Sequence, residues 1–223
     1  MIYASFDSID GRGKILAQSG PCYIRQNGAL NDYRTSIGVM KFDTADVAAL
    51  ATSGNLQEVI THEMLHVLGF GAFWVGPGAP PPDTIGANLL INYGPNVSYI
   101  GAGGIAGCKS LGGINTCATS VPVEGVQGGA GTLNSHWRET TFGKELMTGF
   151  INSGKNPLSI MSIRSLEDLG YTVDTTAADP FSQPGLNVRA AGSVADPSPT
   201  TGVWEIGLPH RPIALPAVPG ANR

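Results

Sequence analysis

The chain has 223 residues, of which 42% are hydrophobic and only 13% charged, enough to bury a core in one domain or two lobes. Its net charge of -4, without a dense Lys/Arg stripe, excludes a nucleic-acid surface. No apolar run approaches the roughly 18 residues that a membrane-spanning helix needs.

In chain order, residues 2–7 read as a strand rather than a basic stretch followed by a long apolar one, so no export signal is visible. Asp10-Gly11-Arg12-Gly13 is a turn. Residues 14–19 read as a second strand that ends at Gly20-Pro21, and 27–34 as a polar loop. Residues 37–42 form a short apolar strand ended by Asp43, and 43–51 a short helix broken by Ser53-Gly54.

The next helix carries His62-Glu63-Met64-Leu65-His66, the pattern H-E-x-x-H. Histidines four apart on a helix project from one face, one turn apart, so both imidazoles can reach one Zn²⁺. The glutamate between them is placed to act as general base on a water at that metal. Asn55 reads as N-cap, with Glu58 completing a capping box. Leu56, Val59, Ile60, Met64, Val67 and Leu68 give a broad apolar surface, which predicts a mostly buried helix. Gly69 is placed to stop it in a left-handed turn. Histidines on a helix are more often surface groups, but a buried glutamate between two of them is costly without a cation.

From 71 to 135 glycine, proline and small polar residues dominate, and Pro80-Pro81-Pro82 is a rigid kink. Residues 102–111 read as a short helix weakened by its glycines. A loop region this long inside a compact domain is normally functional. Apolar residues at helical spacing predict a helix over 159–169, ended by Gly170, with 171–173 extended after it. Residues 182–223 are Pro-rich and read as an extended tail or linker, with a candidate strand at 203–206. The three cysteines are too few for a disulfide scaffold. Cys108 and Cys117 could close a short loop, or all three could be small buried residues or free thiols.

A catalytic zinc usually has three protein ligands and one open position. The remaining histidines are His136 and His210, and Glu124 and Glu139 could serve as carboxylate ligands. His210, in Leu208-Pro209-His210-Arg211-Pro212, has the setting of a solvated residue. The compact metzincin pattern requires histidine at position 72, which is Ala72. Here the chain resembles the leishmanolysin family, the metzincin branch in which an insertion separates the glycine from the third histidine. Ser135-His136-Trp137 followed by Glu145-Leu146-Met147 resembles that family's third-ligand and methionine-turn segments. Pro122-Val123-Glu124, the Gly128–Thr132 run and the Leu-Glu-Asp-Leu-Gly-Tyr segment ending at Tyr171 are also similar to it.

The resemblance covers roughly residues 1 to 180 and is to the short, cysteine-poor bacterial members. It implies an α+β fold in two lobes, with a small twisted sheet, a buried active-site helix, a long Gly-rich insertion and a C-terminal helix. The expected organisation is 1–70 for the N-terminal lobe with the active-site helix, 71–180 for the C-terminal lobe, and 181–223 for the tail. Measured against the family, an N-terminal strand–helix–strand is expected to be missing. The resemblance further implies zinc held by His62, His66 and His136, Glu63 as base, Met147 beneath the metal and Gly69 turning the chain. Residues 16–19 become the candidate substrate-pairing strand, and protein or peptide substrates and a secreted or cell-surface location are implied. The other expectations are a zinc enzyme with Glu124 or Glu139 as third ligand, and an inactive protease-like adhesion or binding module. Oligomeric state is not legible.

Overall fold

The computed structural model describes residues 1–25, 32–77, 86–182 and the strand Ile213–Leu215. It is a mixed α/β fold with two small sheets. The larger sheet contains β1 (Ile2–Asp7), β2 (Ala17–Arg25), β3 (Thr35–Asp43) and, far downstream, β7 (Ile213–Leu215), in the order β1-β3-β2-β7. β1 runs parallel to β3, with Ile2 opposite Gly38 and Asp7 opposite Asp43. β2 runs antiparallel to β3.

β2 does not stop at Gly20-Pro21 as expected from the sequence. It continues to Arg25 through register shifts between Pro21 and Ile24. Proline lacks the N–H for a regular ladder and is tolerated in a sheet at such irregularities. The strands at 2–7 and 37–42 form as predicted, the latter extended to Thr35–Asp43. The polar stretch at 27–34 lies partly outside the described residues, as do Pro80-Pro81-Pro82, the candidate strand at 203–206 and His210.

Helix α1 (Val47–Ser53) ends at Gly54, and α2 (Leu56–Val67) carries the H-E-x-x-H motif. The predicted capping box does not form. Asn55 lies in the helical region (φ −85°, ψ −8°), and its side chain makes no cap hydrogen bond. A side-chain N-cap needs a non-helical backbone, but here Asn55 N–H already donates to Leu50 O (3.0 Å) in the α1–α2 turn. Glu58 instead accepts from Asn156 N–H (3.1 Å) and Nδ2 (2.9 Å), linking α2 to a distant loop.

α2 packs on β2 and β3. Gly38 makes the close approach, since a Cβ there would lie 2.5 Å from Val67 Cγ1. Ser19 Oγ donates to Glu63 O (2.8 Å) in the same interface. The inward face buries Val59, His62, Glu63, Leu65, His66 and Val67. The expectation of a mostly buried helix fails on the other side, where Ile60 and Met64 are 37% and 42% exposed. With Ile2, Ala4, Phe6, Met40 and Phe42 they line an open apolar depression of ≈ 440 Å³, and every residue of β1 is exposed. Beyond α2, no element among the described residues covers the β1 end of this face, so the broad apolar surface exceeds what the helix can bury.

The smaller sheet joins β4 (Leu90–Ile91), β5 (Ser98–Tyr99) and β6 (Val121–Pro122). Helix α3 (Ala102–Ser110) forms despite its glycines because both ends are fixed by tertiary contacts. Asp168 accepts from Gly103 N–H (2.9 Å) and Gly104 N–H (3.1 Å) at its first turn. Cys108, near its other end, is bridged to Cys117. Cys22 is free.

The helix predicted over 159–169 is two pieces. α5 (Ile160–Ser165) follows α4 (Glu139–Phe142), and a 3-10 turn (Glu167–Leu169) leads to Gly170 in the left-handed region. Ser159 caps α5 by accepting from Ser162 N–H. One contiguous core runs from Leu16 and Met40 through Phe70, Trp74, Tyr99 and Trp137 to Leu169. No helix among the described residues is long and apolar enough to cross a membrane.

Candidate metal centre

α2 ends in a paired C-terminal turn. Gly69 N–H donates to His66 O (3.0 Å) and Phe70 N–H to Leu65 O (3.0 Å), with Gly69 at φ +106°. This is the Schellman arrangement, and it needs a residue tolerant of positive φ. Gly69 therefore takes the predicted place. The turn directs Phe70 O onto His66 Nδ1 at 3.0 Å.

The third histidine arrives on a separate segment. Short bridges pair Val123 with Trp137 and Trp137 with Thr148, and Glu124 N–H donates to His136 O (2.9 Å). Trp137 packs edge-on against Phe70 (centroids 5.2 Å apart), and its Nε1–H donates to Ser162 Oγ (2.8 Å). These contacts swing His136 over α2. His62, His66 and His136, fully buried or nearly so, form a group whose ligand atoms all lie within 4.8 Å of one another.

Each ring is oriented through Nδ1. His62 Nδ1 faces Leu146 O at 2.7 Å, and His66 Nδ1 faces Phe70 O. His136 Nδ1 lies 2.9 Å from Ser135 Oγ and 3.2 Å from Thr132 O. A carbonyl only accepts, so each Nδ1 carries the proton and each Nε2 is left with a lone pair. The three Nε2 atoms stand 3.2, 3.0 and 3.0 Å apart. With no proton between them, these contacts are convergent lone pairs rather than hydrogen bonds. Tetrahedral zinc with Zn–N distances of about 2.05 Å places its nitrogens about 3.3 Å apart, so the donor set fits one cation.

Burial lowers the pKa of all three rings. His66 falls to about 4, opposed by its bond to Phe70 O. His62 and His136 fall well below the usual range through burial first and the neighbouring imidazoles second. Neutral imidazole is the form that binds a metal.

No family model matches this chain, and no curated protein is detectably similar to it.

Glu63 lies on α2 beside His62, fully buried. The two carboxylates weighed as third ligands are used elsewhere. Glu124 Oε1 accepts from Val126 N–H and Gln127 N–H (2.9 Å each), and its Oε2 from Glu139 N–H (3.2 Å). Glu139 accepts from Asn152 Nδ2 (3.0 Å). Neither joins the histidine group.

Met147 is fully buried in the turn that follows. The turn reaches the cluster through Leu146 O, which faces His62 Nδ1.

Sequence reasoning placed Glu145 in the methionine-turn segment but gave its side chain no role. Its buried carboxylate accepts from Met147 N–H, from Ser159 N–H (3.0 Å) and Oγ (2.6 Å), and from Ser162 Oγ (2.6 Å). Burial raises its pKa, while those hydrogen bonds pull the other way. It ties the methionine-containing turn, α5 and Trp137 together. Its serine partners lie 14 and 17 residues downstream, so no local pattern in the sequence signals the contact.

Proposed function

We propose that this chain is a zinc-dependent endopeptidase of metzincin type, with two lobes flanking a cleft and the three-histidine cluster at its base. The observation that carries the reading is the convergence of three Nε2 lone pairs at one point, beside a glutamate on the same buried helix. An all-imidazole donor set at near-tetrahedral separations suits zinc among the common cations. The order of Ser135-His136-Trp137 and Glu145-Leu146-Met147 supports the leishmanolysin-like branch.

When bound, zinc supplies Lewis acidity to a carbonyl oxygen and to water. The remaining work falls to the chain. A carboxylate oxygen of Glu63 takes a proton from the attacking water and delivers it to the amine nitrogen of the departing half. Carbonyls of Leu146, Phe70 and Thr132 fix the three rings, so little reorganisation accompanies the reaction. An extended substrate lies along the outer edge of β2, beside Glu63, by strand addition. The Cys108–Cys117 bridge favours an oxidising compartment and thus a secreted or surface location.

The test is zinc content and casein digestion, with and without chelator. The expected result is one zinc per chain and chelator-sensitive cleavage. Glu63→Ala keeps zinc and loses activity about 100-fold or more. His136→Ala binds zinc more than about 100-fold more weakly, since even outer contacts to a ligand are worth about 10–100-fold. Full activity in Glu63→Ala would overturn the mechanism, and normal zinc affinity in His136→Ala the third ligand. Zinc binding without any cleavage would favour the protease-like binding module.

A further inference from the structure

The larger sheet has two edges of different character. β1 forms one, with all its residues exposed. The other would be β2, but β7 lies against it in parallel, with Tyr23 opposite Ile213, Ile24 opposite Ala214 and Arg25 opposite Leu215. β2 is also the strand beside the metal centre, through the Ser19–Glu63 hydrogen bond. At about 3.3 Å per residue, Tyr23 lies about 13 Å along the strand from Ser19. One extended peptide of ordinary length therefore covers both positions.

Unpaired edge groups favour the addition of another strand. Arg25 N–H points inward to Arg34 O (2.9 Å). Backbone groups alternate sides along a strand, so those of Ile24 face outward to β7. The occupying segment is Ile213-Ala214-Leu215, flanked by Pro212 and Pro216. Proline has no N–H to donate, so pairing cannot extend smoothly past either end. The result is a short strand, built to pair and weak enough to be exchanged.

We infer that residues 213–215 of this chain hold the outer edge of β2 in cis, competing with extended peptides that bind there from solution. The identity of the competitor as a substrate rests on the peptidase reading, whereas the occupancy rests on the strand pairing alone.

The test uses the full chain. In this parallel register Ile24 faces Ile213 O and Leu215 N–H, so Leu215→Pro removes a donor to β2 and disfavours pairing, while Leu215→Val keeps a strand former as control. Three readouts follow: amide hydrogen exchange at Ile24, anisotropy of a labelled peptide copying residues 211–217, and KM for an extended oligopeptide. In Leu215→Pro, Ile24 exchanges at least about ten-fold faster and the labelled peptide binds about ten-fold more tightly, as for an edge otherwise open about a tenth of the time. Leu215→Val behaves like the unaltered chain. KM falls by the same factor with kcat unchanged. Unchanged exchange at Ile24 would overturn the occupancy, and faster exchange with unchanged peptide affinity would overturn the competition. Zinc-loaded protein that binds the peptide as expected but cleaves nothing would sink the peptidase reading and leave the strand acceptor standing.

Discussion

Gly69→Ala tests the path from backbone conformation to metal affinity. Gly69 has φ +106°, where an L side chain is strained by about 1–2 kcal/mol. Its new Cβ would lie 2.3 Å from Phe73 Cδ2. Phe73 is fully buried and packed against Tyr33, so it has little room to yield. Overpacking adds about 1–3 kcal/mol, for a total near 3–4 kcal/mol. At about 2–4 °C per kcal/mol for a chain of this size, Tm falls by about 10 °C. The damage reaches the metal because the same turn aims Phe70 O at His66 Nδ1, so zinc affinity falls about ten-fold or more. Gly54→Ala is the control. Its φ is +84° but no atom lies within 4 Å of the added Cβ, so it pays strain alone, about 1–2 kcal/mol, and leaves zinc binding intact. Thermal melts of the metal-free protein and zinc titration by competition with a chelator supply both readouts. A Gly69→Ala protein within about 2 °C of the unaltered chain and with equal zinc affinity would refute the reasoning.

Two further outcomes concern stability. Glu139 is buried, and its pKa is raised by burial first, with hydrogen bonds from Asn152 and Thr148 opposing the shift and the Glu124 charge adding to it. The folded state thus holds this proton more tightly than the unfolded chain, and the ionised group costs stability above its folded pKa. Glu139→Gln should raise Tm by a few degrees at neutral and alkaline pH, about 1 kcal/mol, with the gain shrinking as pH falls through the raised pKa. A pH-independent or negative change in Tm would contradict this account. Cys108 and Cys117 are nine residues apart, so replacing both by Ala releases about 2.5 kcal/mol of loop-closure constraint and lowers Tm by about 5–10 °C. An unchanged melting curve would show that Asp168 alone suffices to hold α3.

The parts of the centre legible in the sequence are those encoded by local spacing. His62, Glu63 and His66 follow from helical periodicity, and Gly69 from the stop it imposes. His136 lies 70 residues beyond His66, and only the wording of its flanks singled it out from Glu124 and Glu139. The three carbonyls that orient the rings were illegible, because a backbone oxygen has no identity in a sequence. Tertiary contacts account for the misread elements. Glu58 looked like half of a capping box but is drawn to Asn156. Gly20-Pro21 looked like a strand end but sits at an irregularity inside β2. The helix read at 102–111 does form, its glycine-rich turns held by Asp168 and a disulfide. β7 is too short, and too closely flanked by proline, for any period to announce it.

The open face of β1 and α2 bears on how the molecule behaves in water. Ile2, Ala4, Phe6, Ile60 and Met64 form an oily shoulder on a body with a net charge of only -4. Mutual repulsion between copies is therefore weak, and it is screened within about 10 Å at ordinary salt. Raising the ionic strength removes that repulsion and, with sulfate, strengthens the drive to hide the shoulder. The histidine cluster lies on the opposite, inward face of the same helix. Two residues with their side chains in solvent, Ile60 and Met64, are thus one turn or less from ligands that are shut off from it. Solubility and chemistry are carried by opposite sides of one twelve-residue rod.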